Sequence, residues 1–227
     1  MNAILAKAHY RNFERKKLAE IFRTRFRGKS VLDIGCGQGD NFPLLEAAGC
    51  AISGVDANAE QVQALRAQGK DVYVCDALPD RTYDVLLMSH VIEHIAPEKL
   101  VPFMNLYLNQ LRPGGKLVVL TPVPGERFWH DFTHVRPYLP QSLWMLIGGL
   151  DTSASARANH RMHLEDVWFF KDSFRTRKTR AYYQVPGVPD VMKHINAAWN
   201  TLMAALYLGT NGRFGVSASW MGIYGND

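Results

Sequence analysis

The chain has 227 residues, 26 Lys+Arg against 21 Asp+Glu for a formal net charge of +5, and 47% apolar side chains. This composition supports one sizeable core and excludes disordered, collagen-like and disulfide-dense classes. Its longest apolar runs, LWMLIGGL and LMAALYL, fall far short of the roughly 18 residues that cross a bilayer, and Lys7, His9 and Arg11 interrupt anything resembling a signal peptide.

Residues 9–27 read as an amphipathic helix. Tyr10, Phe13, Leu18, Ile21, Phe22 and Phe26 recur at helical spacing, and Gly28 stops the run. Residues 11–29 hold eight Lys/Arg against Glu14 and Glu20, and residues 171–180 hold five against Asp172. These basic segments suit an anionic surface or nucleic acid, or else form ordinary solvated faces. Val31-Leu32-Asp33-Ile34 is the first strand and runs into Gly35, Gly37 and Gly39; Asp40 is expected to cap a short helix that Gly49 closes. Ala51–Asp56 is the second strand. Asn58 caps the next helix, with Gln61 at the capping-box position, and Gly69 ends it. Asp71–Cys75 and Tyr83–Ser89 are strands three and four. Pro97–Leu111 is a helix that Pro102 should kink. RPGG turns the chain into a fifth strand, Lys116–Thr121. Strands alternating with helices over this stretch imply a parallel sheet covered on both faces.

Beyond Thr121 the alternation stops. TPVPGERFWHDFTHVRPYLP reads as a loop, followed by a short helix over Gln141–Leu146 and a sixth strand over Val167–Phe170. Apolar residues from Val191 to Leu206 form a helical stripe, expected to cover the core or sheet, with a lid, a dimer face or a membrane-surface face as alternatives. Phe214, Val216, Ala218, Trp220 and Tyr224 alternate as a last strand. The three cysteines, an odd number in or beside strands, fit reduced thiols in the cytoplasm.

A strand running through a glycine turn into a helix is the first unit of a nucleotide-binding sheet. Here the spacing is G-x-G-x-G, with Asp33 two positions before the first glycine. Asp56 ends strand two, where a carboxylate can accept both ribose hydroxyls, and Asp76 follows strand three, where it can accept an adenine amino proton. With VLDIGCGQG, GVDAN, CDA, an E-H pair after strand four and LRPGGKLVV, the sequence resembles the class I S-adenosylmethionine-dependent methyltransferases over about residues 28–147.

That resemblance implies an α/β, Rossmann-like, seven-stranded mixed sheet, mostly parallel with the last strand antiparallel, and helices on both faces. The whole chain would be one methyltransferase domain, with a basic helix at 1–28, a cofactor core at 29–121 and a substrate-side insertion at 122–212. S-adenosylmethionine would be the cofactor. Asp33, Gly35, Cys36, Gly37 and Gly39 would line its methionine part, with Asp56 and Ala57 at the ribose, Asp76 and Ala77 at the adenine, and Ser89 at the pocket edge. Cys36 has to be small and is assigned no chemistry.

Methyl transfer needs a positioned nucleophile and often a base for its proton. His90, Glu93 and His94 after strand four would share one face of a helical turn. The string also matches the H-x-x-E-H zinc-peptidase pattern, which its place on a strand-to-helix turn of a nucleotide fold argues against. After strand five, Asp131-x-Thr133-His134-x-Arg136-Pro137-Tyr138 resembles a motif of bacterial methyltransferases of surface-polysaccharide synthesis. Two mechanisms stay open. His130 or His134 is a general base, with His90 also a candidate and Arg136 binding substrate anion. Alternatively, by resemblance to the metal-dependent methyltransferases of small-RNA 3′ ends, Glu93, His94 and His134 hold a divalent metal. His90 stands where those enzymes have a second glutamate, which favours zinc, iron or nickel over magnesium.

The expected function is O-methylation of a sugar-like or anionic small molecule, such as a surface-polysaccharide or lipid-linked glycan precursor. The alternatives are metal-dependent 2′-O-methylation of an RNA end and a non-catalytic, S-adenosylmethionine-binding regulatory protein. The expected location is the cytoplasm, at the inner membrane face if the acceptor is lipid-linked.

Overall fold

The computed structural model describes residues 3–148, 157–174, 186–187 and 190–226. Most of the second basic segment, 175–180, lies outside them. The chain divides into two compact units: residues 17–168 with 220–227, and residues 1–16 with 169–219.

A seven-stranded mixed sheet has the order β3-β2-β1-β4-β5-β7-β6 and is mostly parallel, with antiparallel last strands. β1 (Ser30–Ile34), β2 (Ala51–Asp56), β3 (Val72–Val74), β4 (Tyr83–Ser89) and β5 (Leu111–Pro122) pair in parallel. β6 spans Met162–Asp172 and β7 spans Val216–Asn226. β1 and β4 are adjacent although β2 and β3 intervene in sequence. The strand order therefore reverses there, and the carboxyl ends of β1 and β4 flank the crevice where open α/β sheets take ligands.

The larger unit holds α3 (Phe42–Ala47), α4 (Ala59–Ala67), α5 (Pro97–Leu108) and α6 (Pro140–Leu146). One core joins Leu32, Leu86, Met104, Tyr107, Trp220 and Tyr224; a second joins Phe42, Val62, Leu65 and Val72. Sequence periodicity places the strands well because each is a short apolar run bounded by glycine or polar residues.

Three local details differ from expectation. The N-cap of α3 is Asn41, not Asp40; its backbone is already helical, and its amide is turned to Asp33 rather than to the helix N–H groups. α5 ends at Leu108 rather than at Leu111, which instead opens β5. RPGG lies inside β5 rather than before it. Tyr83 pairs with Leu111 and Val85 with Lys116, so the extra residues bulge, with Gly114 at φ +73° and Arg112 reaching Asp84 at 3.0 Å.

The smaller unit contains α1 (Ala3–Lys7), so that the helix expected over 1–28 is broken into two before Tyr10, and α7 (Asp190–Gly209). Ala8, Ala204 and Tyr207 form its core, with Phe13 edge-on to Tyr207. Glu14 is buried and accepts a hydrogen bond from the Ser219 hydroxyl. α2 (Tyr10–Thr24) carries residues of both units, Lys17 being the first in the larger one.

The apolar stripe of α7 is not the covering face expected. Met203, Ala204 and Tyr207 are buried, while Met192, Ile195, Trp199, Leu202 and Leu206 are exposed. No helix among the described residues is long and apolar enough to cross a membrane.

Candidate active site

The glycine turn after β1 is built from backbone hydrogen bonds. Gly35 and Cys36 both donate to the Val55 carbonyl, at 2.7 and 3.1 Å, and Gly39 donates to Cys36 O at 2.8 Å. Gly35 has φ +69°, and a Cβ there would come within 2.5 Å of Val91 Cγ2. Glycine is therefore required twice over, by conformation and by the closeness of the loop after β4. The Cys36 thiol is buried beneath the turn, against the position of Gly54. Burial, then the charges of Asp33 and Asp56, push its pKa up to about 12, so it stays a thiol.

Asp33 is fully buried at the end of β1, with Asn41 donating to both carboxylate oxygens at 3.2–3.3 Å. Desolvation raises its pKa to about 7 against the Asn41 hydrogen bond, with Asp56 and Asp40 adding to the rise. A carboxylate held this way is poised to accept a cation.

Asp56 bridges two backbones. One oxygen accepts the Gly37 N–H and the other the Asn58 N–H, both at 2.8 Å. This fixes its rotamer and leaves further lone pairs for hydroxyl donors. Asn58 caps α4 by accepting from Glu60 and Gln61. Ala57, Asp76 and Ala77 are exposed, the latter two on a 3₁₀ turn at Cys75–Ala77, and Ser89 is half-buried at the end of β4. The structure thus puts the turn residues at the end of β1, with Asp56, Asp76 and Ser89 at or just beyond the same ends of β2, β3 and β4.

His90 follows with φ +59°, a conformation that side-chain-bearing residues rarely hold, and donates its N–H to Leu120 O at 2.8 Å. The next turn, Ile92–His94, is 3₁₀ and excludes His90. The expected shared helical face is therefore not formed: Glu93 is buried and His94 exposed. Thr121 of β5 donates to one Glu93 oxygen at 2.9 Å; the other is buried without a hydrogen bond, 3.3 Å from His90 Nδ1.

The loop after β5 is pinned to this turn. Val135 and Arg136 donate backbone N–H groups to Glu93 O, Tyr138 donates its hydroxyl to Ile95 O, and Trp220 donates its indole N–H to Tyr138 O. Pinning brings His134 beside His94, ring centroids 4.8 Å apart. His134 Nδ1 lies 2.7 Å from Phe128 O, and His94 Nδ1 lies 3.2 Å from Thr133 O and 3.1 Å from its hydroxyl. A carbonyl only accepts, so Nδ1 carries the proton in both rings and each Nε2 keeps a lone pair. Ligand atoms of Glu93, His94 and His134 all lie within 4.8 Å of one another.

Not every candidate joins this cluster. His130 is half exposed, 4.0 Å from Glu126. Arg136 is exposed, over the Tyr138 ring at 5.8 Å. Asp131 borders it instead: its Oδ2 lies 3.7 Å from His134 Nε2, and it accepts the Thr133 hydroxyl and N–H, which hold its pKa below the usual carboxylate range. Trp129 and Phe132, 62% and 96% exposed, stand in the same loop. Nothing in the sequence pattern marks Asn41 or Val91; each is an ordinary residue whose role appears only when distant turns meet.

This crevice, on a 3-2-1-4-5-7-6 sheet, defines the class. A profile of the methyltransferase domain family matches residues 6–174, and the chain belongs to that family. Its fold is that of an S-adenosylmethionine-dependent methyltransferase from Archaeoglobus fulgidus, with TM-score 0.60, 22% identity and coverage of 95% of this chain and 94% of that one. A 1,6-didemethyltoxoflavin-N1-methyltransferase from Burkholderia thailandensis, bound to S-adenosylhomocysteine, has TM-score 0.55 at 14% identity over 94% of this chain and 78% of its own. In sequence, a ubiquinone biosynthesis O-methyltransferase of Chelativorans sp. is 31% identical over 106 residues, 42% of this chain and 41% of that protein. The chain spans about two-fifths of the length of such curated relatives.

Proposed function

We propose that this chain transfers the methyl group of S-adenosylmethionine to a hydroxyl of a sugar-like or anionic acceptor, such as a surface-polysaccharide or lipid-linked glycan precursor. The meeting of Glu93, His94 and His134 at the crevice end of β4 and β5 carries this conclusion. Membership of the methyltransferase domain family supports the donor, and the O-methyltransferases among its relatives support an oxygen acceptor.

The residues divide the work. Asp33 suits the amino group of the cofactor, the turn of Gly35, Gly37 and Gly39 leaves room for its methionine part, and Asp56 suits the ribose hydroxyls. When bound, S-adenosylmethionine supplies an electrophilic methyl group. Trp129 and Phe132 offer flat apolar faces to a ring, and Arg136 offers a cation to an anionic group. His134 Nε2 can take the acceptor's proton, since Nδ1 is committed to Phe128 O.

The same three side chains fit a divalent metal. Two imidazoles and a carboxylate are the donor set of many zinc and iron sites. Each imidazole already gives its Nδ1–H to an oxygen, the outer contact usual for metal-bound histidine, and one Glu93 oxygen is buried with no hydrogen bond. Their ligand atoms all lie within 4.8 Å of one another. A metal held there would lower the acceptor hydroxyl's pKa. The grouping of these three side chains is also the observation that favours the second acceptor, the 2′-hydroxyl of an RNA end.

The test is transfer of labelled methyl to panels of glycan and RNA acceptors, with chelator-treated and metal-restored protein. Transfer to a glycan hydroxyl is expected. Full activity after metal removal would leave His134 as base and eliminate the metal; exclusive activity on RNA would overturn the acceptor class.

A further inference from the structure

We propose that α7 docks this protein on an anionic lipid bilayer. Met192, Ile195, Trp199, Leu202 and Leu206 are each 40–54% exposed. At about 100° per residue they fall within about 80° of arc, forming one continuous stripe roughly 21 Å long. The packed side of the helix holds Met203, Ala204 and Tyr207, and towards its start Asn196 and Asn200 are half-buried. Large apolar groups thus face outward while asparagines face inward, the reverse of a helix shaped only to cover a core. A continuous exposed apolar stripe of this kind marks an interaction surface.

Charge selects the occupant. Within the same unit Lys7, Arg11, Arg15, Lys16, Lys171, Lys193 and Arg213 are all exposed. The carboxylates of Glu14 and Asp172 are buried, so among the described side chains of that unit every exposed formal charge is positive. A second copy would bring a surface of the same sign against this one. An anionic bilayer accepts both features: apolar side chains enter the headgroup boundary while lysines and arginines meet lipid phosphates. Trp199, midway along the stripe, is of the type that settles at that boundary.

Sedimentation of the full chain with vesicles tests this, using phosphatidylcholine alone and phosphatidylcholine with about one-third phosphatidylglycerol. Binding to the anionic vesicles only, weakened by salt, is expected. Leu202→Glu and Trp199→Glu should each reduce it about tenfold or more with unchanged thermal melting, because both side chains are exposed. Lys7→Glu with Lys193→Glu should reduce it while leaving the stripe intact. Absence of binding, equal binding to the two vesicle types, or retention by Leu202→Glu would overturn the proposal. So would a dimer in light scattering that Leu202→Glu splits, since the stripe would then be covered by a second copy.

Discussion

Asp33 is a buried carboxyl whose pKa stands near 7 instead of its ordinary 3.8. Above pH 4 the unfolded chain has released this proton while the folded chain keeps it, so stability falls as pH rises from about 4 to about 7. The total loss is on the order of a few kcal/mol. Asp33→Asn should flatten that part of the stability profile in denaturant titrations at several pH values; an unchanged slope would mean that Asp33 is not the group responsible. A cofactor ammonium would favour the ionised form, so affinity should rise from pH 5 to 7 and then level off. Gly35→Ala forces φ +69° on a side-chain-bearing residue and drives its Cβ to 2.5 Å from Val91. About 1–3 kcal/mol is expected from such strain, seen as a melting temperature several degrees lower together with lost cofactor affinity. Unaltered affinity would show that the turn tolerates a side chain. Asp33, Gly35 and Asp56 are legible in sequence because their spacing is set by one strand and one turn. Asn41 and Val91 are not, because their roles depend on which backbone comes near them.

At the scale of elements, the site is a meeting of two loops. The turn after β4 supplies Glu93 and His94, the loop after β5 supplies His134, and the Glu93 carbonyl ties them by accepting from Val135 and Arg136. The sequence pointed to the three residues as partners across about forty positions; it could not show that His90 leaves the helical face, since that depends on a left-handed backbone at a non-glycine residue. His134→Ala should slow transfer by about two to four orders of magnitude, the usual worth of a positioned base, while S-adenosylhomocysteine affinity stays unchanged. Equal loss of both would make His134 a support for the pocket instead. Glu93→Gln preserves volume but removes the negative charge, and should abolish any metal retained after dialysis, as read by elemental analysis. The basic segment at 11–29 divides in a way that composition hides. Lys17 pairs with Glu20 and lies over Trp168, and Arg25 pairs with Asp166 beside the same ring, so these two cations serve the fold.

At the scale of the whole molecule, the succession of strands along the chain was legible up to β5 because each ends in glycine or a polar turn, whereas their order in the sheet was not read, β6 proved longer than expected and α7 exposed the face expected to be covered. Hydrophobic periodicity identifies a stripe but does not say which stripe finds a partner. β7 contributes Trp220 and Tyr224 to the main core, and Trp220 also holds Tyr138 of the histidine loop. Trp220→Ala should cost about 3–5 kcal/mol in denaturant unfolding and reduce methyl transfer through the loosened loop; a loss under 1 kcal/mol would place the core elsewhere. We propose that the crevice between β1 and β4 is a cofactor cradle. Calorimetric titration with S-adenosylhomocysteine of the unaltered chain and of Asp56→Ala tests it most directly. One binding site per chain, weakened at least tenfold by the substitution, is the predicted result; absence of binding, or binding indifferent to Asp56, would contradict it.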